Sequence, residues 1–275
     1  MSRRSEPSRP ALRILANTPP WEWPKGAGAT LLEIVRDRQA PASDRQTAAE
    51  LAGDLVVMND EIAGALLSIA AGSGEPEAVR ARAAIGLGAV LERVSWDEFD
   101  EDPYDPMPIT EETFNRIQET FRGLYQAPEQ PKEVRRRVLE ASVRAPQDWH
   151  EGAIRQAYAG ADEEWKLTAV FAMRWVRGFD EQILESLRSR NPDIVYEAVK
   201  AAGAWEVDGA WPHVSALVAS PKTKKDLLLA AIDAVADIRP QEAGPVLAGL
   251  MDSPDEEIAE AAMEAIERAR MRLTE

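Results

Sequence analysis

Two histidines, His150 and His213, are the side chains best suited to metal or acid–base chemistry, and 63 positions separate them. Each stands just inside the start of an apparent helix. Two structural repeats lie between them, and helices pack 8–10 Å apart, so the imidazoles should be roughly 20 Å from one another and cannot share an ion. The chain has no cysteine. That removes disulfides, thiolate nucleophiles and sulfur-ligated metals together. No GxSxG, HExxH or phosphate-binding loop occurs, and "GLGAVL" from Gly86 has two of the three glycines of a dinucleotide fingerprint without the strand that must precede it. The sequence therefore assigns no catalytic residue, no cofactor and no metal ligand.

Three other clusters carry charge or aromatic surface. "WDEFDEDPYD" packs Asp97, Glu98, Asp100, Glu101, Asp102 and Asp105 together without a base. Its spacing lacks the glycine and late glutamate of a calcium loop. It reads as an acidic insertion loop over residues 95–109, either merely solvated or a lure for a basic partner with Trp96, Phe99 and Tyr104 as anchors. "PKEVRRRVLEASVRAP" carries Lys132, Arg135, Arg136, Arg137 and Arg144. With Val134, Val138 and Leu139 inward, Arg136, Arg137 and Arg144 should point outward, as a solvated ion-paired face or as an anion site. In "EEWKLTAVFAMRWVRG", Trp165, Ala169 and Val170 make one apolar stripe, while Leu167, Phe171 and Trp175 make a second beside Arg174. A helix apolar on two faces is either buried on both or offers a binding surface.

The elements that must hold these residues are helices. "ATLLEIVRD", "DEIAGALLSIAAG", "EQILESLRS" and "EAGPVLAGLMDS" place apolar residues three and four apart, and no strand-like alternation occurs. The fold class expected is all-α. Residues 1–24 contain five prolines and read as an extended arm, docked by Trp21 and Trp23. No run approaches the ~20 apolar residues of a membrane span, and the segment after Arg3 and Arg4 is too short and broken for a secretory leader. The expectation is a cytoplasmic protein without a membrane partner. The net charge of −16, from 48 acids and 32 bases, disfavours nucleic acid as a partner.

Segments similar to "VRARAAIGLG" begin at residues 44, 79, 134, 165, 195, 227 and 258. The last four intervals are all near 31 residues, and the long one from 79 to 134 contains the acidic insertion. Each unit reads as a helix pair, and such pairs bury their apolar faces only by stacking. The alanines and glycines of the second helix, Gly86 and Gly88 among them, would then let neighbouring backbones approach. Glycine there costs about 1 kcal/mol of helix propensity relative to alanine. An acid before the helix, then Val-Arg, then paired small residues recur as "EPEAVRARAAIGLG" and "PKEVRRRVLEAS", and more loosely as "DEEWKLTAV" and "SPDEEIAEAAMEAI". The pattern resembles the HEAT-repeat family, in the short form of the phycobilisome-lyase type, over about 230 of the 275 residues.

The resemblance implies about seven HEAT-like pairs in one α-solenoid over residues 25–275, linked by an acid–arginine ladder. The ladder arginine stands at Arg45, Arg80 and Arg135, becomes Lys166, and is lost at Tyr196, Leu228 and Ala259, so the ladder should weaken toward the C-terminus. Fold families of this kind serve many functions. The reading best supported is a non-catalytic interaction scaffold or adaptor for a protein or peptide, held by Leu167, Phe171, Arg174 and Trp175 with Arg136 and Arg137 as a basic flank. The alternatives are a lyase-like or other enzyme on HEAT-like repeats, and a nucleic-acid-binding solenoid.

Overall fold

In a computed structural model the chain is described over residues 8–97 and 106–274 and divides into two compact units, Met1–Trp149 and His150–Glu275. Unit 1 contains α1 (Ser8–Ala16), α2 (Ala27–Arg36), α3 (Ala42–Leu51), α4 (Asp60–Ala71), α5 (Glu77–Gly86), α6 (Gly88–Asp97), α7 (Glu111–Gln126) and α8 (Lys132–Ser142). Then follow α9 (Asp148–Ala159), α10 (Glu163–Ala172), α11 (Asp180–Ser186), α12 (Pro192–Ala204), α13 (Trp211–Ala219), α14 (Lys225–Ile238), α15 (Pro240–Leu247) and α16 (Glu256–Arg272). No strand occurs among the described residues. The fold is all-α, and each unit is a solenoid-like stack of helix pairs.

All seven repeat starts fall in the first turn of a second helix: α3, α5, α8, α10, α12, α14 and α16. In unit 1 the second helices stack as α3 on α5 on α8, with α2, α4 and α7 as their partners. In unit 2 the stack is α10, α12, α14 and α16, with α11, α13 and α15 packed on the last three. The stacking faces are small. Ala48 and Ala49, Ala83 and Ala84, Ala201 and Ala202, Ala234, and Ala265 are all buried. The proximity expected of Gly86 is present. A methyl group on Gly53 would stand 2.4 Å from the Gly86 carbonyl oxygen, so α3 and α5 touch backbone to backbone. Gly88 serves a different neighbour, since a methyl there would meet the Arg144 side chain at 3.0 Å.

The starting signals differ between units. Pro41, Pro76 and Pro131 precede α3, α5 and α8 with φ between −54° and −57°. Proline's fixed φ suits this entry, and its missing N–H is not needed there. In unit 2, Asp162 accepts from the Glu164 and Trp165 amides and Asn191 accepts from the Asp193 amide, capping α10 and α12.

Three expectations need correction. The N-terminal arm is not extended throughout: Leu12 and Leu15, one turn apart, bury themselves as α1 packs on α2 and α3. Trp23 pins the following turn, its Nε1 donating to the Leu15 and Thr18 carbonyls at 3.0 and 2.9 Å, whereas Trp21 is exposed. The helix from Glu77 does not run on; it ends at Gly86, and α6 restarts at Gly88. Residues 95–97 of the anticipated loop therefore belong to α6, and 98–105 lie outside the described residues. Thr110 caps α7 and donates through its amide and hydroxyl to Asp60 at 2.9 and 3.0 Å.

Candidate functional site

Arg136 does not point outward. It is buried in α8, 2.9 Å from Glu133 and 3.9 Å from the buried Glu140. Arg137 is half-buried and bridges the same two carboxylates at 2.8 and 2.6 Å. Three helices, α5, α6 and α7, pack on α8. Arg144 is likewise held, 2.9 Å from Glu92 of α6. The basic flank is thus an internally neutralised part of unit 1, and Leu167, Phe171, Arg174 and Trp175 belong to unit 2.

Of those four residues Arg174 lines a groove of unit 2, and Leu167, Phe171 and Trp175 lie next to it on and just after α10. Leu167 and Phe171 lie one turn apart on α10, and both are half-buried. The chain turns after Ala172, and Trp175 folds back so that its ring centroid is 4.7 Å from that of Phe171, tilted by 45°. The Arg174 guanidinium lies 5.2 Å from the Trp175 ring centre, within the range of a cation–π attraction. Among the described residues Arg174 has no ion pair. It opens a groove of about 590 Å³ that runs over Tyr196, Lys200 and Gly203 of α12, Asp226, Asp233 and Asp237 of α14, and Arg268 of α16.

The floor is possible because Gly203 has no side chain: a methyl there would come 3.1 Å from the Ala234 Cα. Its walls carry opposite charges. Asp226, Asp233 and Asp237 fall seven and four residues apart and so line one face of α14. Arg268 lies 2.8 Å from Asp233 and 3.7 Å from Asp237, and Arg272 binds Asp237 at 3.3 Å and also pairs with Glu206. Burial nonetheless pushes the Asp237 carboxyl above the ordinary aspartate value, against the pull of both arginines. Burial, with Glu197 and Asp226 nearby, raises the Tyr196 phenol. It therefore remains a hydrogen-bond donor at neutral pH. Arg174 and Asp226 make no ion pair among the described residues.

The other aromatics of repeats 4 to 6 are joints between repeats. Phe179 is buried beneath Arg155, whose guanidinium is 4.9 Å from the ring centre. Trp211 is buried beside Arg239. Trp205 closes α12, donating from Nε1 to the Met173 carbonyl at 2.6 Å, with Arg177 over its ring at 4.7 Å. His150 stands in the first turn of α9 and is fully buried, and His213 is half-buried. No group of three His, Cys, Asp or Glu side chains that could hold a metal occurs among the described residues. No helix there is long and apolar enough to cross a membrane. The acid row of α14 was readable in the sequence as three aspartates on one face, but only the stack places it opposite Arg174 and Tyr196.

No protein-family model and no curated protein matches the chain. Two solved helical proteins align with most of the chain. Human deoxyhypusine hydroxylase, solved with glycerol, aligns over 94% of this chain and 88% of its own at 16% identity, with a TM-score of 0.42. YibA of E. coli aligns over 94% of this chain and 92% of its own at 15% identity, with a TM-score of 0.46. The likeness concerns helical architecture alone.

Proposed function

We propose that this chain is a non-catalytic interaction scaffold, and that the groove of unit 2 takes a short protein segment carrying a carboxylate beside an apolar residue. The observation that carries this reading is Arg174. Its guanidinium is held against Trp175, lines the groove, and has no carboxylate partner among the described residues, although 48 acids are present in the chain. A pre-oriented arginine beside partly open aromatic surface matches the composition of binding hot spots. Leu229 supplies apolar contact within the groove, Phe171 and Leu167 extend the apolar surface beside Arg174, and the Tyr196 hydroxyl stands along the groove to donate to the same ligand. Asp226 suits a basic residue further along the segment. The carboxylates of α14 oppose a nucleic-acid backbone in this groove.

The test is cross-linked capture with tagged full-length chain, comparing wild type with Phe171→Asp and Arg174→Glu. A partner held by wild type should be lost in both variants, with affinity reduced at least tenfold, or about 1.4 kcal/mol. Helical circular dichroism should be unchanged, because both side chains are only half-buried. Equal capture by all three proteins would refute the assignment.

A further inference from the structure

We infer that the chain pairs with a second copy of itself through one face of α16, in an antiparallel, two-fold contact. The side of α16 not packed on α14 and α15 carries exposed apolar side chains among its charged ones. Met263, Met271 and Leu273 are 45%, 55% and 58% exposed, and Met251 in the preceding turn is 42% exposed. Together with Ile266, Glu267, Arg270 and Thr274, three of these, Met251, Met263 and Met271, line a shallow groove of about 460 Å³. Exposed apolar patches with a polar component mark interaction surfaces on soluble proteins, and methionine adapts readily to a partner's shape.

The residue types select the occupant. Positions 263, 266, 267, 270 and 271 stand at i, i+3, i+4, i+7 and i+8 on α16 and so form a single seam, with Thr274 just past the helix end. Reversing a second copy of α16 across this seam pairs Glu267 with the partner's Arg270 and Arg270 with the partner's Glu267. The same register sets Ile266 against the partner's Met271, and Met263 against the partner's Thr274. Each of the two seam charges meets its opposite, and the exposed Met271 enters the partner's groove over Ile266. A parallel pairing in register would set Glu267 against Glu267. Both charges are exposed, and neither has an ion pair among the described residues. Their neighbours Arg268 and Arg272 are instead engaged with Asp233, Asp237 and Glu206. The seam itself is neutral, in a chain whose net charge of −16 repels other copies elsewhere. An isologous contact of this kind closes as a dimer and does not propagate.

Sedimentation equilibrium of the full chain at tens of micromolar tests the inference. Wild type should show a concentration-dependent approach to the mass of two chains. Glu267→Arg alone, and Arg270→Glu alone, should weaken self-association by more than about tenfold, because each sets like charges together twice. An equimolar mixture of these two variants should associate again, since every facing pair is then of opposite charge, and so should the double variant Glu267→Arg/Arg270→Glu. Circular dichroism and melting temperature should stay at wild-type values, because both side chains are exposed. A wild type that remains at the mass of one chain would overturn the inference. So would single variants that associate as wild type does, or a mixture that stays dissociated.

Discussion

In unit 1 the second residue of each repeat is an arginine whose Nε donates to a carbonyl ten residues earlier: Arg45 to Val35, Arg80 to Ala70 and Arg135 to Tyr125, at 3.0, 3.0 and 2.9 Å. The same guanidinium reaches the loop of the following repeat. Arg45 binds Glu75 at 2.5 Å and Arg80 binds Gln130 at 2.5 Å, just ahead of Pro76 and Pro131. In unit 2 that position holds Lys166, Tyr196, Leu228 and Ala259. Its repeats are joined by Trp205 on the Met173 carbonyl and by Gly203 against Ala234, while its ion pairs sit on the rim. Lys225 binds Asp255, and Arg239 binds Asp208, each at 2.7 Å. Where arginine is buried as a clamp, little charge is left to meet a ligand. Where small and aromatic residues make the joint, charged groups such as Arg174 and Asp226 remain available in a groove.

The comparison breaks most sharply at Arg45. Replacing it with alanine leaves the Glu75 carboxylate buried, its exposed neighbour Arg38 still at 2.9 Å. The expected loss is about 3 kcal/mol, read by urea denaturation. A loss no larger than that of a surface pair would mean that the clamp does not hold the stack. The glycine joints come next. Gly53→Ala forces the α3 and α5 backbones apart and should cost about 2 kcal/mol, whereas Gly203→Ala meets Ala234 at 3.1 Å and should cost about 1 kcal/mol. A reversal of that order in thermal denaturation would count against backbone contact in unit 1.

Glu75 adds a smaller, pH-dependent effect. The Arg45 hydrogen bond holds its carboxyl below the ordinary value of 4.5, against the opposing effect of burial. A depressed folded-state value means the unfolded chain takes up the proton first as pH falls. The contribution of Glu75 is therefore present above 4.5 and is lost as pH drops below it and through the folded value. Denaturation midpoints measured on acidification should fall more steeply for wild type than for Glu75→Gln; parallel curves would remove Glu75 from the acid response. The smallest effect belongs to Lys225→Ala in unit 2. That pair is solvent-exposed, and its melting temperature should match wild type.

The repeat frame was legible because it is local. A small-residue stripe and three- and four-residue spacing place all seven second helices, and the succession Arg45, Arg80, Arg135, Lys166 foretells where the clamp ends. What escaped the sequence depends on neighbours distant in the chain. Arg136 is buried in a helix on which α5, α6 and α7 all pack, and α6 is a separate helix because α5 stops where Gly86 meets Gly53. Leu12 and Leu15 form α1 only because α2 and α3 offer a surface to cover. The candidate site was half legible. The double stripe of Leu167 and Phe171 with Arg174 is visible in one helix, but the aspartates facing it come from α14, two repeats away.

Selection of a random peptide library on the full chain tests the binding groove most directly. Peptides enriched on wild type should share an acidic residue next to an aromatic or aliphatic one, and Arg174→Glu and Phe171→Asp should each abolish their binding while the helical signal persists. Enriched peptides that bind wild type and Arg174→Glu equally, or a selection that yields no acidic consensus, would contradict the assignment of this groove as the partner site.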